Sequence, residues 1–124
     1  MKLAHLDVLD GCPLVIKTSA VRMILVSSYA LGDSYATVQA NKLAEVVMTA
    51  ADYTLTGTSA RTLTVASGKT APLTAAAPGG DSHLVFTDGG SRVLWVTDET
   101  NNPTGAIGVT VTFPGVSYTF PQPV

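Results

Sequence analysis

Ser82-His83-Leu84-Val85-Phe86-Thr87, Asp88-Gly89-Gly90-Ser91 and Arg92-Val93-Leu94-Trp95-Val96-Thr97 follow one another without a break. Two runs rich in β-branched and aromatic residues flank a glycine-rich tetrapeptide. Glycine supplies the positive φ that tight hairpin turns need. The stretch reads as a β-hairpin, with Leu84, Phe86, Val93 and Trp95 as the expected anchors of a core. Most other segments read as strands that could pair with it or pack beneath it.

Towards the C-terminus, Asp98 to Gly105 is a polar loop. Ala106 to Phe113 is predicted as one strand, because Ile107, Val109, Val111 and Phe113 alternate with smaller or polar residues. Val116 to Phe120 continues the alternation as a last short strand. Pro121-Gln122-Pro123-Val124 suits neither helix nor central strand and is expected to be an extended tail.

On the N-terminal side, Tyr53 to Thr56 and Ala60 to Ala66 alternate with period two, which puts Leu63 and Val65 on one face and Thr62 and Thr64 on the other. Ala71 to Thr74 is a weak strand, and its Pro72 suits an edge. Residues 34–50 are predicted as one amphipathic helix, capped by Asp33 or Ser34, with Tyr35, Val38, Leu43, Val46, Val47 and Ala50 on its apolar face. Arg22 to Ser27 is a strand candidate. Ala4 to Gly11 is predicted as a short helix that Gly11 and Pro13 end. Leu14 to Thr18 is then either a strand or part of an extended arm, residues 1–18, that pairs with a neighbouring subunit.

Short strands at regular spacing indicate a mainly β fold, an antiparallel β-sandwich or a barrel-like (jelly-roll-like) form, with one helix. The 124 residues amount to a single domain, 1–124. Charged residues make up 13% of the chain against 46% hydrophobic. An ordinary soluble domain carries about 25% charged residues. The expected surface is therefore Thr, Ser, Gly and Ala, part of it buried against other chains. Net charge is −2 and the seven Lys and Arg are scattered, which argues against a nucleic-acid partner. The most apolar run, Val21 to Val26, is far short of the about 20 residues that a membrane span needs and contains Arg22. Asp7 and Asp10 interrupt the apolar start, so synthesis in a cytoplasm without export is expected.

Catalytic and metal chemistry find little support in the sequence, and neither a cofactor nor a metal is expected. His5 and His83 are the only histidines. His83 at the start of a strand is read as a satisfied sheet residue. Cys12, the single cysteine, lies between Gly11 and Pro13 in an expected turn and is read as an incidental thiol. Asp81, Asp88, Asp98 and Glu99 gather near the ends of the hairpin but follow no calcium-loop spacing. Gly79-Gly80-Asp81-Ser82 precedes a strand rather than the helix that a phosphate cradle requires. Alternating threonines (Thr54, Thr56, Thr62, Thr64, Thr110 and Thr112) are either the wet face of a sheet or an inter-subunit face that avoids desolvating charge.

Three stretches together resemble small virion structural proteins of tailed bacteriophages: Tyr29-Ala30-Leu31-Gly32; Asp52-Tyr53-Thr54-Leu55 with Ser59-Ala60-Arg61-Thr62-Leu63-Thr64-Val65; and Ser82 to Gly89 with Arg92 to Thr97. Ala60 departs from the glycine usual there, and the expected helix at Tyr35 to Ala50 replaces a variable loop. The resemblance implies a non-enzymatic protein that decorates or cements a capsid, or that sits in the neck or tail. It implies major capsid protein or other virion proteins as partners, a homo-oligomer with a trimer favoured, and a virion location after assembly in the host cytoplasm. Interface residues expected on this reading are Leu14, Val15 and Ile16 in the arm, His83, Asp88 and Arg92 on the hairpin, and Pro121, Pro123 and Val124 in the tail. A carbohydrate-binding β-sandwich module is the other class considered, and it would need exposed aromatic rings.

Overall fold

The structure, a computed structural model, describes residues 4–80, 82–99 and 104–122. Its elements run α1 (Leu6–Ser19), β1 (Arg22–Val26), α2 (Tyr35–Ala40), β2 (Lys42–Val47), a 3-10 turn (Ala50–Asp52), β3 (Tyr53–Thr56) and β4 (Arg61–Val65). There follow β5 (Thr70–Pro72), β6 (Ala77–Pro78), β7 (Ser82–Thr87), β8 (Val93–Glu99), β9 (Thr104–Gly105), β10 (Thr110–Thr112) and β11 (Ser117–Phe120). The fold is mainly β and every strand pairing is antiparallel. A four-stranded sheet in the order β2-β1-β7-β8 packs in a sandwich-like arrangement with a three-stranded sheet, β11-β4-β3, and two small two-stranded sheets, β10-β5 and β6-β9. No closed barrel forms among the described residues.

The hairpin pairs as the sequence implies, with Phe86 opposite Trp95 and Val85 opposite Val96. Its partner on the other side is β1, where Met23 faces Phe86 and Leu25 faces Leu84. One side of this strand pair, through Met23, Leu25, Leu84 and Phe86, enters the main core. The other side, through Ile24, Val26 and Val85, packs on Val38 of α2. Strands covered on both faces need unbroken apolar runs, which Met-Ile-Leu-Val and Leu-Val-Phe provide. The register slips between Phe86 and Thr87, so Leu94 is an extra residue in β8. Leu94 and Trp95 consequently both join the main core, while Val93 joins the α2 side rather than packing beside Trp95.

The helix expected at residues 34–50 is limited to Tyr35–Ala40, and Lys42–Val47 is a strand on the edge of the main sheet. Ser34 caps the helix as expected, its Oγ accepting from the Thr37 amide at 3.2 Å. Leu43, Val46 and Val47 fit a helical stripe, but the same segment also fits a strand that buries Ala44, Val46 and Met48. β1 has a free ladder edge, and β-branched Val46 and Val47 suit pairing with it. A register shift beside Leu25 makes Leu43 the extra residue, so Leu43 is buried next to Ala44.

The arm expected at residues 1–18 is, over its described part, a docked helix. α1 runs through Gly11, Cys12 and Pro13 without a break, so Leu14 to Thr18 is neither strand nor extended. Pro13 removes one intrahelical hydrogen bond, a change that costs about 3 kcal/mol in an isolated helix. Tertiary packing overrides that cost. Pro13 and Ile16 are buried, Arg61 Nε donates to Asp10 at 2.6 Å, and Lys17 Nζ donates to the Tyr53 and Ala50 carbonyls at 2.6 and 3.1 Å. The His5 ring accepts the Asp7 amide at the other end.

The strand expected from Ala106 to Phe113 is shorter, with only Thr110–Thr112 paired. Ala106 to Val109 form a turn in which Gly108 has φ +93°. Leu73 holds this turn through both of its backbone groups, accepting from Gly108 at 2.9 Å and donating to Val109 at 2.8 Å. Val111 and Phe113 are buried as expected, whereas Ile107 and Val109 are exposed. β4 and β11 form as expected, with Leu63 and Val65 inward. In the tail, Gln122 is tied to Ala4 in both directions at 2.8 and 3.1 Å, and Pro123 and Val124 lie outside the described residues.

Phe86 is fully buried between Met23, Tyr53 and Trp95. Phe86→Ala is expected to lose about 3–5 kcal/mol of stability in urea denaturation. Thr119→Ala, on the wet face, should stay within about 0.5 kcal/mol of the parent. Similar losses for the two would contradict this placement of the core.

Candidate functional site

A line of aromatic rings leads from the core to the surface. Tyr53 lies 6.3 Å from Phe86, and Phe86 stacks on Trp95 at 4.7 Å with an interplanar angle of 18°. Trp95 meets the edge of Tyr118 at 6.3 Å, and Tyr118 meets Phe120 at 4.7 Å. At the inner end, the buried Tyr53 hydroxyl donates to the Ala20 carbonyl at 2.7 Å. Burial, with the Asp52 charge nearby, pushes that phenol above its ordinary range, so it remains a neutral donor.

The outer end of the line opens into a groove of about 480 Å³. Gly11, Cys12, Val15 and Ile16 of α1, Leu94 and Trp95 of β8, and Tyr118 and Phe120 of β11 line it. The bulge in β8 turns two successive side chains, Leu94 and Trp95, towards this side. β8 and β11 are each the last strand of their sheets. None of the eight lining residues is charged. The groove is suited to taking up apolar side chains and has no acid–base group in its lining.

The expected interface residues do not converge on one place. Val15 and Ile16 line the groove, Ile16 being buried, while Leu14 is exposed elsewhere on α1. His83 is half-buried in β7, its ring 6.5 Å from Tyr29. Asp88 and Arg92 hold the hairpin turn. The Asp88 carboxylate accepts from the amides of Gly90, Ser91 and Arg92 at 2.8–3.0 Å and from Arg92 Nε at 3.0 Å. The Arg92 amide, the Ser91 amide, the Arg92 guanidinium and the Gly90 amide keep this carboxyl well below the usual carboxylate range. Pro121 is exposed, and Pro123 and Val124 lie outside the described residues.

The acids expected near the ends of the hairpin stand at its two ends rather than in one group. Ser82 and His83 pair with Glu99 and Asp98 at one end, Asp88 occupies the other, and Asp81 lies outside the described residues. Among the described residues no three of His, Cys, Asp and Glu are grouped to hold a metal ion. No described helix is long and apolar enough to cross a membrane. Cys12 is exposed in a helix, not in the turn expected there.

The outer face of the three-stranded sheet is a hydroxyl array. Thr119, Thr62 and Thr56 form one row across β11, β4 and β3, and Ser117, Thr64 and Thr54 form the next. Thr62 and Thr119 hydroxyls bond at 3.0 Å. The sequence reading identified the threonines but missed the groove. Trp95, Tyr118 and Phe120 looked like core residues by alternation, and only the β8 bulge and the helical path of Gly11 to Ile16 make them a rim. No protein-family model, curated protein or solved structure matches this chain.

Asp52 accepts from the Thr49 amide at 2.7 Å and pairs with Lys69 at 3.1 Å. Partial burial pushes its carboxyl up, but the Thr49 amide and Lys69 outweigh burial and lower it. Asp52 and Asp88 thus titrate lower in the folded chain than in the unfolded one, where an Asp titrates at about 3.9. Their contribution is complete above that pH and is lost as pH falls through the folded values. The thermal midpoint, followed by circular dichroism, should be flat from about pH 7 to 5 and fall below about pH 4. Asp88→Asn should make that fall shallower, and an unchanged fall would contradict the role given to the turn.

Proposed function

We propose that this chain is a non-enzymatic structural protein of a tailed-phage virion, a decoration or cement subunit. In this role it binds the outer capsid lattice, bridges neighbouring major capsid proteins and associates with its own copies as a trimer. The observation that carries the reading is an exterior with little charge that combines an aromatic-lined apolar groove with a hydroxyl-bearing sheet face. Such surfaces lose little by desolvation when they meet another protein. The three stretches that resemble virion proteins support the same reading. Two of them supply β3, β4, β7 and β8, which bear the hydroxyl face and one wall of the groove.

The mechanism is surface burial repeated over many equivalent sites. Each Å² of apolar area removed from water contributes about 25 cal/mol. Association and ordering costs offset much of that, so simultaneous attachment at several lattice points sustains occupancy. The described part of the N-terminal segment is a docked helix, which supports contacts made through the folded surface. A neck, tail or fibre-adaptor position would use the same surfaces in fewer copies.

The half-buried Trp95 beside Tyr118 gives a glycan-binding reading one specific observation in its favour. Sugar hydroxyls also need polar partners, and this lining provides few of them. Quenching or a shift of Trp95 fluorescence on adding glycans would favour that reading.

Quantitative mass spectrometry of purified particles tests the virion assignment. Hundreds of copies per particle are expected for decoration, whereas about a dozen or fewer would move the protein to the neck or tail. Absence from the particle would overturn the proposal.

A further inference from the structure

α1 has two apolar sides. Pro13 and Ile16 turn inward and are buried. On the flank beside the groove, Val8, Gly11, Cys12 and Val15 recur at i, i+3, i+4 and i+7, the spacing of one continuous helical stripe. Val8 is 69% exposed and Val15 46% exposed. Across the groove, Tyr118 is 51% exposed. One surface therefore carries protruding aliphatic side chains and, next to them, a cavity of about 480 Å³ lined by aromatic and aliphatic groups. Contiguous apolar surface of this kind marks an interaction site more often than idle exterior.

We propose that a second copy of this chain covers this surface, the α1 stripes of neighbouring copies meeting at Gly11 and Cys12. The inference rests on the reading that the protein associates with its own copies, and it names the contact. Charge is the first argument for a second copy. A rotation axis beside a patch brings each residue close to its own equivalent, so a charged patch would repel itself. Neither the stripe nor the groove contains a charged residue.

Shape is the second argument. Knobs and cavity lie side by side on the same surface, so around a closed rotation axis the knobs of one copy meet the cavity of the next. Close approach is the third. A Cβ built on Gly11 would meet nothing within 4 Å, so this side of the helix is open. Gly11 and Cys12 place small side chains midway between Val8 and Val15, where two helix backbones can come together. A helix of 14 residues is about 21 Å long and about 10 Å across. Its flank alone falls short of the roughly 800 Å² that a stable contact takes from each partner. The contact therefore extends over Leu94, Trp95 and Tyr118.

The test uses the full chain. Light scattering at micromolar concentration should give a multiple of the 12.8 kDa chain mass. Val8→Glu and Val15→Glu, both at exposed positions, should each return it to one chain mass with an unchanged circular dichroism spectrum. As an independent readout, diamide should produce a disulfide-linked dimer through Cys12 on a non-reducing gel, and Cys12→Ser should abolish it. An oligomer that keeps its mass in both variants and gives no cross-link would overturn this surface while leaving self-association standing. A wild-type chain that stays monomeric would overturn both, and the virion assignment would then stand or fall on the particle measurement.

Discussion

The pairing of β1 with β7 is the constraint on which the rest of the molecule depends. Five consecutive residue pairs, from Arg22 with Thr87 to Val26 with His83, join two strands covered on both faces. Met23, Leu25, Leu84 and Phe86 commit one face to the sandwich, and Ile24, Val26 and Val85 require cover on the other. α2 supplies that cover through Val38. The next edges follow from the same pair. β2 completes the ladder on one side and β8 on the other, and the β8 bulge turns Leu94 and Trp95 towards the side where the groove opens.

Most of the β framework was legible because its signals are local. The hairpin and β1 follow from apolar runs, and β3, β4 and β11 from alternation, over four to seven positions each. The failures share one cause: a local signal was outvoted by a distant partner. Leu43 to Val47 carries a helical spacing, yet the free edge of β1 takes it as a strand. Gly11 and Pro13 are breakers by their own chemistry. Even so, α1 passes through both, because Arg61, Tyr53 and Ala50, far along the chain, hold Asp10 and Lys17. Ile107 and Val109 alternate like strand residues, but Gly108 and the backbone of Leu73 fold them into a turn.

The same distinction explains why the site was less legible than the fold. Leu14, Val15 and Ile16 were singled out as one strand-like arm. On a helix those three side chains point in three directions, and only Val15 and Ile16 face the groove. Asp88 and Arg92 hold the hairpin turn through hydrogen bonds to each other and to its backbone, a role that residue spacing does not show. Trp95, Tyr118 and Phe120 gave no surface signal because an aromatic on an alternating strand looks like core. A bulge and the meeting of two sheet edges make the difference, and neither can be read from residue spacing.

A strand pair covered on both faces supports a less completely covered side formed by α1, β8 and β11. Hydrogen–deuterium exchange read by mass spectrometry at low and high protein concentration tests this directly. Peptides covering Met23–Val26 and Leu84–Thr87 should exchange slowest at both concentrations. Those covering Gly11–Ile16 and Leu94–Val96 should exchange faster when dilute and slow as concentration rises. Faster exchange in β1 and β7 than in α1, or protection of α1 and β8 that ignores concentration, would contradict the account.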